Sequence, residues 1–203
     1  MLTAENSETS KIIMREQKNL EKIVSIHLSS FHEDELSMVL GKKFVERFYR
    51  SILSSDVAHI VIIREDEEIK SFMVYFTDYI TFMKEFRSTL EISQIDFFRL
   101  VSNLHLIFNY LWINMIIPRI IPPAILTNAL GVIAIAPETR GEIGVFTTLM
   151  TVYHTIVYNV FDRRCWGSCR LDNVVAARIL ERMGLDQTHK VGFLPRVGIY
   201  QSG

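Results

Sequence analysis

The residues whose types and order could do chemistry lie in the last third of the chain. There the apolar run Leu130-Gly-Val-Ile-Ala-Ile-Ala136 leads into Pro137-Glu-Thr-Arg-Gly-Glu-Ile-Gly144, and an amphipathic helix pattern follows. A strand that turns tightly into a helix presents backbone N–H groups with no intrahelical partner, at the end where aligned peptide dipoles favour negative charge. Such an end suits a pyrophosphate. Further on, Asp172-Asn173 precedes Val174, Ile179 and Met183 at helical spacing. Asn173 therefore reads as the N-cap of a last helix, a role compatible with ligand binding. Cys165 and Cys169, the only cysteines, fall in Arg163-Arg-Cys-Trp-Gly-Ser-Cys-Arg170, which reads as a strand. Four residues of strand span ~13 Å, beyond the ~7 Å Cα limit of a disulfide, so both are expected as free thiols. No second Cys or His pair has metal-ligand spacing, and no metal is expected.

The elements that must position these residues follow from periodicity. Gln17 to Phe31 carries Leu20, Ile23, Val24, His27, Leu28 and Phe31 at three- and four-residue steps, an amphipathic helix. Polar His32-Glu-Asp-Glu35 interrupts it, and Leu36, Leu40, Phe44, Phe48 and Ile52 mark a second helix, both expected to pack on a sheet. Val57 to Arg64 is rich in β-branched residues, Glu65-Asp-Glu-Glu68 is a solvated turn, and Ile69 to Ile80 alternates as a strand does. The order is helix, helix, strand, strand, a middle region, then strand, helix, strand, helix and a terminal β pair.

The middle region is unusual. Leu100 to Pro118 contains no Asp, Glu, Lys or Arg, and a Pro-rich apolar stretch continues to Leu126. Its length would permit a membrane span of ~20 apolar residues. In lipid, however, His105 and the asparagines 103, 109 and 114 would each need an internal partner. The expectation is a core helix buried within the domain, with the wall of an apolar pocket or a membrane-surface segment as alternatives; a membrane partner is not expected. With 203 residues the chain suits one compact domain, 1–203. Its 22 Lys+Arg against 23 Asp+Glu give no basic excess to attract nucleic acid. Met1 to Lys11 is polar and acidic, unlike a secretory signal, so a cytoplasmic location is expected.

The order of motifs resembles the acyl-CoA-binding half of the GNAT superfamily of N-acetyltransferases. In that family an apolar strand is followed by Pro, a variable pair and Arg-Gly-x-Gly-x-Gly/Ala, then a helix, a strand, Asn-x-x-Ala and a closing Gly-Phe. Pro137, Arg140, Gly141, Asn173, Ala176 and Gly184 fall at matching positions. Ile143 and Val145 replace the two later glycines, Gly144 sits one place off register, Leu180 stands where a tyrosine often lies, and Leu185 replaces the Phe. The implied fold is α/β: a mixed, mostly antiparallel sheet flanked by helices, with an apolar helical insertion between the third and fourth strands.

The resemblance implies an enzyme that transfers an acetyl group from acetyl-CoA to a primary amine of a small molecule, such as an amino sugar, amino acid or polyamine. The thioester is already activated, so the protein must hold its carbonyl, desolvate the amine and remove one proton. Carried over by position, Ile133, Ala134 and Ile135 would receive the pantetheine arm. Arg140, Gly141, Glu142, Ile143, Gly144 and Val145 would hold the pyrophosphate, with Asn173 and Ala176 beside them. Candidate bases are Asp78 and Tyr79, at the expected end of the third strand, and His32, Glu33 or Asp34 between the first two helices. Leu180 cannot supply the acid. Phe31, Leu40-Gly-Lys-Lys-Phe44 and Phe48-Tyr49 also resemble members that modify amino sugars in surface-polysaccharide pathways. Two alternatives stay open: a transferase using a long acyl thioester to make an N-acyl amino acid, and a non-catalytic acyl-CoA-binding domain. A homodimer is compatible with each.

Overall fold

The computed structural model describes residues 16–33, 35–89, 101–192 and 197–202. The amino-terminal stretch, Asp34 and Leu100 fall outside them. Helix α1 (Gln17–Ser30) buries Leu20, Ile23, Val24, Ile26 and His27, the stripe that three- and four-residue spacing predicts. Helix α2 (Leu36–Ser54) buries Val39, Val45, Tyr49 and Ile52 but is kinked at Gly41, whose φ of 81° and ψ of −177° belong to a backbone region open to glycine and little else. His27 locks the two helices together: Nδ1 lies 2.9 Å from the Tyr49 hydroxyl and Nε2 3.0 Å from Ser37 Oγ. A neutral imidazole accepts from one hydroxyl and donates to the other. Burial keeps it neutral by pulling its pKa down to about 4.

Strands β1 (Ala58–Glu65) and β2 (Glu68–Phe76) form an antiparallel hairpin whose turn residues Asp66 and Glu67 take φ values of 47° and 69°. With β3 (Ala129–Ile135), β4 (Trp166–Arg170), β5 (Leu185–Val191) and β6 (Val197–Ser202) they make one six-stranded sheet in the order β1-β2-β3-β4-β6-β5. Every neighbouring pair is antiparallel except β3 and β4. The strand period of two splits the core between the faces. Ile60, Phe72 and Val74 pack with α1 and α2, whereas Val61, Met73 and Tyr75 face a second cluster. That cluster is built on α6 (Ile143–Thr155), which continues as a π-helical turn over Ile156–Val160.

The insertion expected between the third and fourth strands lies between the second and third strands of the described residues, β2 and β3, as α3 (Tyr79–Ser88), α4 (Leu104–Ile120) and the short α5 (Pro123–Leu126). The strand expected to reach Ile80 stops at Phe76. Asp78 ends it by accepting from the Thr81 N–H at 3.0 Å and the Thr81 hydroxyl at 2.7 Å, which starts α3. The apolar segment also departs from expectation. Within α4 Leu106, Asn109 and Ile117 are buried, yet Leu104, Phe108, Leu111, Trp112 and Met115 are exposed, Phe108 at 65%. Lack of charge here does not mean burial all round: one face of α4 lies on the body and the other looks outward. Among the described residues Ile143–Val160 is long and apolar enough to cross a membrane by length and composition. A third of that segment is buried, and its Leu149, Val152, Tyr153, Ile156 and Val157 pack with the sheet residues Val61, Met73 and Tyr75. The chain closes with α7 (Val174–Arg182) between β4 and β5.

Candidate active site

The parallel pair β3 and β4 is joined only at Ala129↔Trp166 and Leu130↔Gly167, and the strands then part. A bulge in the β2–β3 ladder sits opposite, between Met73 and Tyr75. Gly131 lies in it because a Cβ there would come within 2.6 Å of the Phe76 ring and 3.1 Å of the Val74 carbonyl. Beyond the bulge Ile133, Ala134 and Ile135 pair with Met73, Phe72 and Ser71, leaving their β4 side without a strand. An open strand edge offers main-chain donors and acceptors to an extended ligand. The residues expected to receive the pantetheine arm lie on this edge. The Ile135 carbonyl is already approached by Ser30 Oγ at 3.3 Å.

From the end of β3 the chain runs through a 3₁₀ turn, Pro137–Thr139, into α6. The N–H groups of Thr139, Arg140 and Glu142 bond within the turn, to Ala136 at 3.0 Å, Pro137 at 3.3 Å and Thr139 at 3.1 Å. Those of Gly141, Ile143, Gly144 and Val145 have no acceptor among the described residues. The space above them is open: Gly141 has a φ of 99°, and a Cβ at Gly141 or Gly144 would meet nothing within 4 Å. Four of the six expected phosphate residues thus present donors at a helix start, and two do not.

Arg140 departs furthest from expectation. Its guanidinium donates to the Ser29 carbonyl at 2.8 Å and to Ser30 Oγ at 3.2 Å, clamping the turn to the C-terminal end of α1 instead of reaching over the open donors. A helix C-terminus favours a cation, which explains the attraction. Around the turn, Lys22 pairs with Glu138 at 2.6 Å and Lys70 with Glu68 at 2.9 Å, and exposed Glu142 adds to the field on Lys70. Exposed pairs of this kind contribute little to stability. Asn173 is the expected N-cap: its Oδ1 accepts from the Ala176 N–H at 3.0 Å, so these two residues fix the start of α7 just beyond β4.

On the α4 side of β4 lies a cavity of about 180 Å³. Helix α4 lines it with Leu106, Asn109, Tyr110, Ile113, Asn114 and Ile117, and β4 with Trp166, Ser168 and Arg170, alternate residues that share one face. Glu35, Leu36, Tyr79 and Val197 also line it, and it is open to solvent on one side. Ser168 and Arg170 stand past the last β3–β4 pair, so the cavity reaches the splayed part of the sheet. Arg170 is held by Asp172 through two hydrogen bonds, Nε to Oδ1 at 2.9 Å and Nη2 to Oδ2 at 2.6 Å, with only 11% of its side chain exposed.

Of the candidate bases, Tyr79 lines this cavity and Asp78 does not, its carboxylate being the cap of α3. Burial raises the Tyr79 phenol well above its ordinary range, so near neutral pH it stays protonated and serves as a donor, not a base. His32 and Glu33 are exposed and do not line the cavity, whereas Glu35 does. The sequence does not mark Glu35, Ser168 and Arg170 as site residues, and it marks Asn109 only as a polar group that needs an internal partner. The alternation of β4 held a signal for Ser168 and Arg170. Leu180 is buried behind β4, 3.2 Å from where a Cβ of Gly167 would lie. Both cysteines are free thiols, and burial pushes Cys165 up to about 12. Among the described residues no group of three or more His, Cys, Asp or Glu is placed to hold a metal ion.

The six-stranded, mostly antiparallel sheet flanked by helices matches the fold of solved GNAT acetyltransferases. Solved structures with the same fold include one assigned to that family from Desulfovibrio desulfuricans, with a TM-score of 0.53, 12% identity and 91% of each chain covered. PH1933 from Pyrococcus horikoshii has a TM-score of 0.54 and 12% identity over 93% of each chain. A variant of the spermidine N-acetyltransferase SpeG from Vibrio cholerae has a TM-score of 0.51 and 11% identity, covering 92% of this chain and 90% of its own. No family model matches the chain, and no curated protein sequence matches it.

Proposed function

We propose that the chain is an N-acetyltransferase that moves the acetyl group of acetyl-CoA to a primary amine of a small molecule by direct attack. The observation that carries this reading is the open edge of β3 leading straight into a turn with four N–H groups that have no acceptor among the described residues. An extended thioester arm adds to Ile133–Ile135 as a strand would, and its pyrophosphate meets the N–H groups of Gly141, Ile143, Gly144 and Val145. The amine approaches from the cavity on the other side of the splay. There Glu35 lines the wall and is the base we assign, and Tyr79 is a standing donor. Because Leu180 is packed behind β4, the departing thiolate receives no help from that helix. A thiol with a pKa of ~8.5 is a tolerable leaving group near neutrality.

Gly144→Glu tests this reading without straining the fold, since a side chain at Gly144 enters open space. It sets a negative charge among the open donors. Titration calorimetry should show acetyl-CoA binding weakened at least tenfold. Equal affinity in both forms would remove the turn as the phosphate site, and absence of acetyl-CoA binding to the unmodified chain would remove the acetyltransferase reading.

A further inference from the structure

We infer that Arg140 is a positioning residue: it ties the donor turn to the last turn of α1, so that a donor seated on the turn also firms the α1–α2 junction beside the acceptor cavity. This rests on the acetyltransferase reading above and assigns a coupling role within that site. The peptide unit joining Arg140 to Gly141 carries the first of the open N–H groups, and Ile143, Gly144 and Val145 follow within five residues. The side chain of the same Arg140 reaches α1, with Nη2 2.8 Å from the Ser29 carbonyl and 3.2 Å from Ser30 Oγ. The Ser29 carbonyl is among the last four of α1, which a helix leaves without an internal donor, at the end where its dipole favours a cation. Whatever holds the Gly141 peptide therefore holds the anchor of the guanidinium as well.

From α1 the tie runs on to the cavity. Ser30 Oγ lies 2.6 Å from the Ile26 carbonyl, inside the last turn. In that turn the His27 ring packs on Phe31, centroids 4.4 Å apart, and its Nε2 lies 3.0 Å from Ser37 Oγ. Ser37 follows Leu36, which lines the cavity. Each step is a hydrogen bond or ring contact between neighbours, a contiguous network through which two sites can share ordering. Lys22 and Glu138 make another tie between α1 and the turn, at 2.6 Å, but Lys22 stands about two helical turns before Ser30, away from the junction. An acceptor that arrives after the donor then meets a wall already ordered.

The test is amide hydrogen exchange on the full chain, with and without acetyl-CoA at a concentration that calorimetry shows to saturate each form. The amides of Phe31, Glu35, Met38 and Val39 report the junction, each being hydrogen-bonded there. Acetyl-CoA should slow them about fivefold or more in the unmodified chain, and Arg140→Met should cut that ratio below about twofold while the slowing at 141–145 stays. Lys22→Met should keep the full ratio. A residue that only supported α1 would change exchange with and without donor alike and leave the ratio where it was. No slowing at the junction of the unmodified chain, an undiminished ratio in Arg140→Met, loss of donor binding in that variant, or an equal loss of the ratio in Lys22→Met overturns the inference. Faster exchange at the junction on donor binding also overturns it, because it would show the guanidinium leaving α1 for the phosphates. Absence of acetyl-CoA binding to the unmodified chain defeats the acetyltransferase reading and this inference with it, whereas binding without slowing at the junction defeats the inference alone.

Discussion

At the scale of single residues, His27 makes the stability of this protein depend on pH. In the folded chain its pKa is about 4, lowered by burial, against an ordinary value of 6.5. Between those values the unfolded chain binds a proton that the folded chain refuses. The stabilisation is therefore complete above pH 6.5 and is lost as pH falls toward 4. At 1.36 kcal/mol per pH unit, going from pH 7 to 5 should cost about 2 kcal/mol. Urea denaturation at both pH values checks this, with His27→Gln as reference: the variant should lack about that much of the pH dependence. Equal slopes would mean that the folded imidazole takes up its proton normally. Single residues are also where the sequence was hardest to read. Arg140 stands at the right place in its motif, but its partners Ser29 and Ser30 lie over a hundred positions away, and no local pattern announces them. Glu35 sat in a run of charges that reads as solvated, and only the arrival of α4 makes it a cavity wall.

At the scale of elements, periodicity carried most of the fold. The stripes of α1 and α2, the β1–β2 hairpin, the apolar β3 before Pro137 and the capped α7 all stand where spacing predicts. Two failures have physical causes. Alternation ran on past Phe76, but Asp78 with Thr81 three residues later is a capping signal, and a cap with two hydrogen bonds overrules a pattern. Helix α4 is apolar on both faces, so no moment of hydrophobicity distinguishes the side that lines the cavity from the side that carries Phe108 and Leu111. The kink in α2 makes a further element-scale prediction. Gly41 holds a backbone conformation that an L-residue adopts only under strain, so Gly41→Ala should lower the unfolding free energy by about 1–3 kcal/mol. A variant as stable as the parent would show that α2 runs straight through this position.

At the scale of the whole molecule, the junction of β3 and β4 is a seam. Everything from Trp166 onward hangs on the first three strands through two rungs of sheet and the packing around them, while every other strand pair is joined by at least five. A zip left undone along most of its length is an economical place to admit a guest, because no native pairing has to be broken first. The guest then acts as missing cloth. An extended thioester filling the gap would stitch the two halves of the sheet together, and at a hundred times its dissociation constant would add ~2.7 kcal/mol to the stability of the whole chain. Amide hydrogen exchange should register it as slowing on both sides of the gap, at 131–135 and at 168–170, when acetyl-CoA is added. Slowing confined to the turn at 141–145 would mean that the ligand is tethered by its phosphates and leaves the seam open.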